Sequence, residues 1–202
     1  MFLPKGTDVW RNLKTFFVDV DKLLLFLKKH EFTGFVHFLF PDQEGVILLQ
    51  EGDAVGGMQE RNDARKSGPN AAKEILEVAR NETKASITIS KLPSETVDIV
   101  SEAFRLPAKA IYKNLSSEFS NLAGFVAKAE KEGFTGYIEI HFPKENNEGI
   151  ILIEKGNIKA TITDKMQIGL KNEIEADWEA VNSKIVEEAQ KAGVHFDVYA
   201  SI

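Results

Sequence analysis

Three cations, Arg61, Arg65 and Lys66, stand inside the stretch GGMQERNDARKSGPNAAKE (56–74), with two glycines before them, one after, and a helix-forming segment at its end. Backbone N–H groups at a helix start, joined by three positive side chains, suit a carboxylate or a phosphate. The same composition suits a solvated loop, and both readings stand at this point. The matching stretch later in the chain, DKMQIGLKNE (164–173), keeps fewer cations, so an anion site would belong to the first stretch alone.

Other chemistry is sparse. The four histidines, His30, His37, His141 and His195, form no HExxH and no pair at i, i+3 or i+4. A metal site would need His37 and His141 to converge from separate segments; surface or half-buried histidine is the plainer expectation, and no metal is assigned. The chain has no cysteine, which rules out disulfides and thiol catalysis. Neither GxSxG nor SxxK occurs, nor a P-loop, nor GxGxxG. Asp42, Glu44, Glu145 and Glu148 fall in expected turns, and spacing alone does not make a glycosidase-like pair of any two. No catalytic residue and no cofactor follow, and an enzyme is the less favoured class.

The elements that position these residues belong to a chain of 202 residues, 43% apolar and 28% charged, enough for one large domain or two small ones. A net charge of −6 disfavours nucleic acid as a partner, because phosphate binding draws on clustered Lys and Arg. The longest apolar run near the start, Leu23 to Leu27, is far short of a signal-peptide core or of the roughly 18 residues a spanning helix needs. No membrane partner is expected, and the chain reads as soluble and cytoplasmic.

One pattern is written twice. Phe32-Thr33-Gly34 and Phe134-Thr135-Gly136 stand 102 residues apart, and Phe40-Pro41 keeps the same offset to Phe142-Pro143. Upstream, Phe17, Val20, Leu23, Leu24 and Leu27 fall against Phe119, Leu122, Phe125, Val126 and Ala129, each set following one helix face. After two extra residues, Asn146 and Asn147, the offset becomes 104 and Glu44 to Leu49 falls on Glu148 to Ile153. An insertion confined to a polar turn is what a structural repeat tolerates.

The predicted fold class is α+β: an internal duplication of a helix–three strands–helix–strand unit with antiparallel sheets, joined by a linking helix. Strands are expected near 33–40, 45–50, 54–58, 135–142, 149–154 and 158–163, with hairpin turns at Glu51-Gly52-Asp53 and Lys155-Gly156-Asn157. Helices follow at about 70–80 and 173–191, the latter with a stripe of Ile174, Trp178, Val181, Ile185 and Ala189. Closing strands carry Ala85, Ile87, Ile89 and Val194, Phe196, Val198. Ser94 starts the linking helix and Pro107 breaks or kinks it, with 108–115 as a second helical piece. The domain boundaries are 1–92 with an N-terminal extension, 93–115 for the linker, and 116–202.

Val36, Phe38 and Phe40, like Ile138, Ile140 and Phe142, are placed facing the helices, and Phe35, His37, Leu39, Tyr137, Glu139 and His141 facing away. The second strands, Val46 to Leu49 and Ile150 to Ile153, are apolar on both faces, where a half-solvated sheet would alternate. Their outer face therefore needs a cover: the other copy, the linking helix, or another subunit. Phe35, Leu39, Leu49, Tyr137 and Ile153 are the candidate interaction residues of that face, with a protein partner or a homodimer as its possible occupants.

The succession of a helix, an aromatic-Thr-Gly-aromatic start, an apolar strand, an acidic turn with Glu-Gly, a second apolar strand and Gly-Asp or Gly-Asn resembles the PATAN domain, the N-terminal type of PatA. It resembles more closely still a related, uncharacterised archaeal family whose members begin with an LPKG-like segment, here Leu3-Pro4-Lys5-Gly6. The resemblance covers both copies and implies an interaction or regulatory module without catalytic residues. Ala160 keeps the small residue of the usual strand ending, whereas the first copy has Gly56-Gly57. The function expected is a non-enzymatic protein-interaction or regulatory module; the alternative is a small anionic-ligand sensor or enzyme using 56–74.

Overall fold

The repeated Phe-Thr-Gly triplet builds the same device twice in the computed structural model, which describes residues 1–62, 64–105, 107–142, 147–163 and 178–202, without the side chains of 147 and 178–183. The Thr33 hydroxyl accepts a hydrogen bond from the Glu51 N–H, and the Thr135 hydroxyl one from the Lys155 N–H, each at 3.0 Å. The Phe32 and Phe134 carbonyls accept from the N–H groups of Gly52 and Gly156 at 2.8 and 2.7 Å. Both turn glycines sit at φ +84°, where a side chain would be strained. A Cβ on either would also collide with helix backbone, at Lys28 or Glu130. The triplet's own glycine permits close strand approach: a Cβ on Gly34 would strike the Ser90 carbonyl, and one on Gly136 the Tyr199 carbonyl. The motif is a clamp that ties a hairpin turn to the start of the preceding strand.

Lys5–Pro107 form one compact unit, and Met1–Pro4 with Ala108–Ile202 form the other. In the first, the order is β1 (Thr7–Lys14), α1 (Val20–Lys29), β2 (Gly34–Leu39), β3 (Glu44–Gln50), β4 (Asp53–Arg61), β5 (Ala64–Ser67), α2 (Pro69–Asn81), β6 (Ser86–Lys91) and α3 (Ser94–Arg105). Its antiparallel sheet runs β1-β6-β2-β3-β4-β5. The second unit holds β7 (Ala108–Ser116), α4 (Leu122–Glu132), β8 (Gly136–Phe142), β9 (Asn147–Glu154), β10 (Asn157–Thr163), α5 (Trp178–Ala192) and β11 (His195–Ser201). Its sheet runs β7-β11-β8-β9-β10, again antiparallel, so the two sheets share one strand order apart from β5. The fold is α+β.

Local chemistry starts the helices. The Asp19 carboxylate accepts from the Lys22 N–H at 3.1 Å and caps α1, and the Asn121 side chain accepts from the Gly124 N–H at 2.7 Å and caps α4. Pro69 sits in the first turn of α2, where its missing N–H costs nothing. Residues 108–116 form strand β7, paired with β11, rather than a second helical piece, and 7–14 form β1 against β6. Each is an edge strand preceding the first helix of its unit.

The inward faces meet the sequence pattern. Val36, Phe38, Phe40, Ile47, Ile87 and Ile89 pack with Leu27 of α1 and Ile75 of α2 in one core. Ile138, Ile140, Ile151, Phe196 and Val198 pack with Leu122, Val186 and Ala189 in the other. Of the stripe expected on α5, Ile185 and Ala189 are buried; Ile174 and the side chains of Trp178 and Val181 lie outside the described residues. Leu49 and Ile153 correct the outer-face assignment. Leu49 pairs with Gly34 and Ile153 with Gly136, in phase with Val36 and Ile138, so both belong to the helix-covered cores. The outward residues of those strands are Val46 and Leu48, and Ile150 and Leu152. In the first unit α3 packs on β3 and β4 from that side, with Val97, Val100 and Phe104 fully buried.

Candidate functional site

The stretch 56–74 is not a long loop: Gly56–Arg61 belong to β4, Ala64–Ser67 to β5 and Pro69–Glu74 to α2, and the two strands pair Gln59 with Lys66, Glu60 with Arg65 and Arg61 with Ala64. Alternation then separates the three cations. Arg61 and Lys66 line one cleft of about 630 Å³ with Gln43, Gln59, Glu74 and Glu77, while Arg65 lies on the opposite face. Each cation already meets an acid. Arg61 Nη2 lies 2.6 Å from Asp42 Oδ2, and Lys66 Nζ 2.8 Å from Glu74 Oε2. Arg65 reaches Glu60 Oε2 through Nε at 3.1 Å and Nη2 at 2.6 Å, with its side chain only 4% exposed. An anion entering the cleft would have to displace Asp42 or Glu74, and Glu77 stands beside them.

The outer face of the first sheet carries a polar end next to its apolar centre. His37 Nε2 lies 3.3 Å from Glu44 Oε2, and this hydrogen bond, against the penalty of burial, holds the Glu44 carboxyl below its usual range. Phe35 is buried and Leu39 is exposed. In the second unit Tyr137 stacks on Tyr199, centroids 4.9 Å apart, and both are buried.

A second cleft, of about 470 Å³, opens at the outer end of β8 and β11 and includes Met1 and Phe2 in its lining. His141 and His195 are direct cross-strand neighbours, as are Glu139 and Asp197. His141 Nδ1 lies 3.4 Å from Glu148 Oε1, and His195 Nδ1 3.1 Å from Asn114 Oδ1. The Asn114 N–H donates to Asp197 Oδ1 at 2.6 Å, and the Phe2 N–H to Glu139 Oε1 at 3.2 Å. Among the described residues no group of three or more His, Asp or Glu has the geometry to hold a metal ion. His141 thus has His195 as its cross-strand neighbour in its own sheet. The pairing follows from the register of β8 on β11, which spacing in the sequence does not reveal.

Sequence reasoning also missed a set of exposed aromatics. Phe16 and Phe17, in the turn between β1 and α1, are 69% and 82% exposed, and Phe119, in the turn between β7 and α4, is 91% exposed. Phe17 and Phe119 are equivalent by the offset of 102, and so are Val9 and Ile111, both exposed on the edge strands. The repeat alignment holds the signal: Phe17 and Phe119 open the two apolar sets that follow one helix face, but they stand one turn before each helix begins.

No helix among the described residues is long and apolar enough to cross a membrane. No curated protein and no solved structure matches the chain. Residues 1–104, which span β1 to α3, match a family described as an uncharacterised protein conserved in archaea. With more than half of its length matched, the chain belongs to that family, DUF2226.

Proposed function

We propose that this chain is a non-enzymatic interaction or regulatory module, acting in the cytoplasm, whose contact surfaces are the edge-strand and turn residues at the first helix of each unit. The observation that carries the reading is the pair Phe17 and Phe119: large aromatic side chains, almost fully exposed, at equivalent positions of two units. Leaving such side chains in water forgoes about 1.5–3 kcal/mol each relative to burial, and grouped exposed apolar residues mark interaction sites. Val9 and Ile111 extend each surface along an edge strand of its sheet. The likeness to PATAN domains, regarded as interaction or regulatory modules, supports the same reading.

The test is site-specific photo-crosslinking in cells, with the photoreactive residue at 17 or 119 and, as control, at exposed Lys84. Discrete adducts at 17 and 119, to protein or to lipid, that the control lacks are expected. Identical patterns at all three positions would remove the reading. A sensor or enzyme for a small anion at 56–74 is favoured by the shared cleft of Arg61 and Lys66 and opposed by their acidic partners. A thermal-shift panel of phosphates, nucleotides and carboxylates separates the two, since a ligand at about 100 times its Kd adds about 2.7 kcal/mol of stability.

A further inference from the structure

The two contact surfaces differ in charge and in reach. Residues 1–30 hold six Lys and Arg against three Asp, a net of +3 in a chain of net −6. On α1, Lys22, Leu25, Phe26 and Lys29 follow i, i+3, i+4, i+7 spacing and are all exposed, so cations flank an apolar pair on the solvent face of the helix. Phe16 and Phe17 stand before the start of the same helix, in edge-to-face contact with centroids 4.9 Å apart. Exposed Arg11 and Lys14 lie on the adjoining strand; Arg11 also pairs with Asp8 and Lys22 with Asp19, but the two cations stay 77% and 83% exposed and so remain open to the solvent side. The equivalent positions of the second unit carry Glu118 for Phe16, Ala127 for Leu25 and Lys128 for Phe26, so the first unit alone has this combination.

We propose that this surface of the first unit seats on an anionic lipid bilayer, with Phe16, Phe17, Leu25 and Phe26 in the headgroup–acyl boundary and Arg11, Lys14, Lys22 and Lys29 at the lipid phosphates. The proposal names the partner of one of the surfaces in the reading above, and rests on that reading. Three features favour lipid over a protein. The aromatics project from a turn and an outward helix face, and a bilayer accommodates such a shape without a matching pocket. Phe and Leu on one side of a helix with Lys around them is the interfacial pattern, in which area and charge add. The local positive charge in an acidic chain draws this surface, rather than the chain as a whole, towards an anionic bilayer. The expectation of no membrane partner came from the lack of a spanning segment, and a surface that lies on the bilayer needs none.

The test is co-sedimentation of the full chain with vesicles of phosphatidylcholine alone and of phosphatidylcholine with about one third phosphatidylglycerol. The parent chain is expected to pellet with the anionic vesicles at least tenfold more than with the neutral ones, and several-fold less when salt rises from about 0.1 M to 1 M. The double substitution Phe16→Ser and Phe17→Ser is expected to lower anionic-vesicle binding more than tenfold with an unchanged circular dichroism spectrum, while Phe119→Ser leaves it within twofold. Equal binding to both vesicle types, or parental binding by the double variant, would overturn the proposal. Vesicles left unbound while position 17 still crosslinks to a protein would overturn the lipid assignment and keep the interaction reading. Loss of both would remove the two together.

Discussion

Replacing Phe104 by Ala probes the cover over the first sheet. The side chain is fully buried on α3, and its Cβ lies 3.7 Å from where a side chain on Gly56 of β4 would begin. The Phe104 position therefore lies against a strand residue that has no side chain to refill the space a lost ring would leave. Phe-to-Ala changes at such sites cost about 3–5 kcal/mol, the upper end applying where the surroundings cannot collapse. Domains are stable by only about 5–15 kcal/mol, so the variant should survive but lie near its limit. With a urea dependence of about 1.5 kcal/mol per molar, the unfolding midpoint should fall by about 2–3 M. Urea titration followed by far-UV circular dichroism, at two protein concentrations a hundredfold apart, is the assay. Because α3 belongs to the same chain as the sheet it covers, the loss should not depend on concentration. A loss below about 1 kcal/mol, or a midpoint that recovers with concentration, would refute intramolecular cover by α3.

Further outcomes follow from the turns and the charged pairs. Gly52→Ala and Gly156→Ala should each cost about 1–3 kcal/mol in equilibrium unfolding, because both strain the positive φ and push a methyl into helix backbone; a neutral result at either would mean the clamp is looser than described. The Glu44 carboxyl is held low in the fold, so its stabilisation is present above the unfolded value of about 4.3 and is lost as pH falls through the folded one. The melting-temperature gap between the parent and Glu44→Gln should thus be open at pH 6 and narrow towards pH 3, and a gap constant across this range would contradict an electrostatic origin. Arg65→Met should cost about 2–3 kcal/mol, since Glu60 keeps its charge in a half-buried site. Lys66→Met, from an exposed pair, should stay within about 0.5 kcal/mol in the same denaturation assay.

The triplet, the hairpin turns and the inward residues of the central strands were legible because each obeys a local rule: a glycine conformation, a period of two, a helical stripe. The edge strands were not. In β1 the register shifts between Asp8 and Trp10 and again between Trp10 and Leu13, with Asn12 at φ +55°, so no alternation survives in the sequence. Asn114 of β7 repeats that φ at +53°, and the pairing with β11 slips twice. Leu49 and Ile153 face inward against the sequence expectation because four apolar residues in a row carry no phase; only the pairing with Gly34 and Gly136 sets it. Arg65 parted from Arg61 and Lys66 for the same kind of reason, once 64–67 proved to be a strand. The cross-strand pair of His141 and His195 joins residues 54 positions apart, a distance over which spacing carries no information.

Equilibrium urea unfolding of the Phe17→Ser and Phe119→Ser double variant tests most directly the proposed role of Phe17 and Phe119 in contact and not in folding. Side chains 82% and 91% exposed make almost no contact to lose, so stability within about 0.5 kcal/mol of the parent is predicted. A loss of 2 kcal/mol or more, in the range of about 1.5–3 kcal/mol that burial of one such side chain is worth, would place these aromatics in the fold and contradict the account.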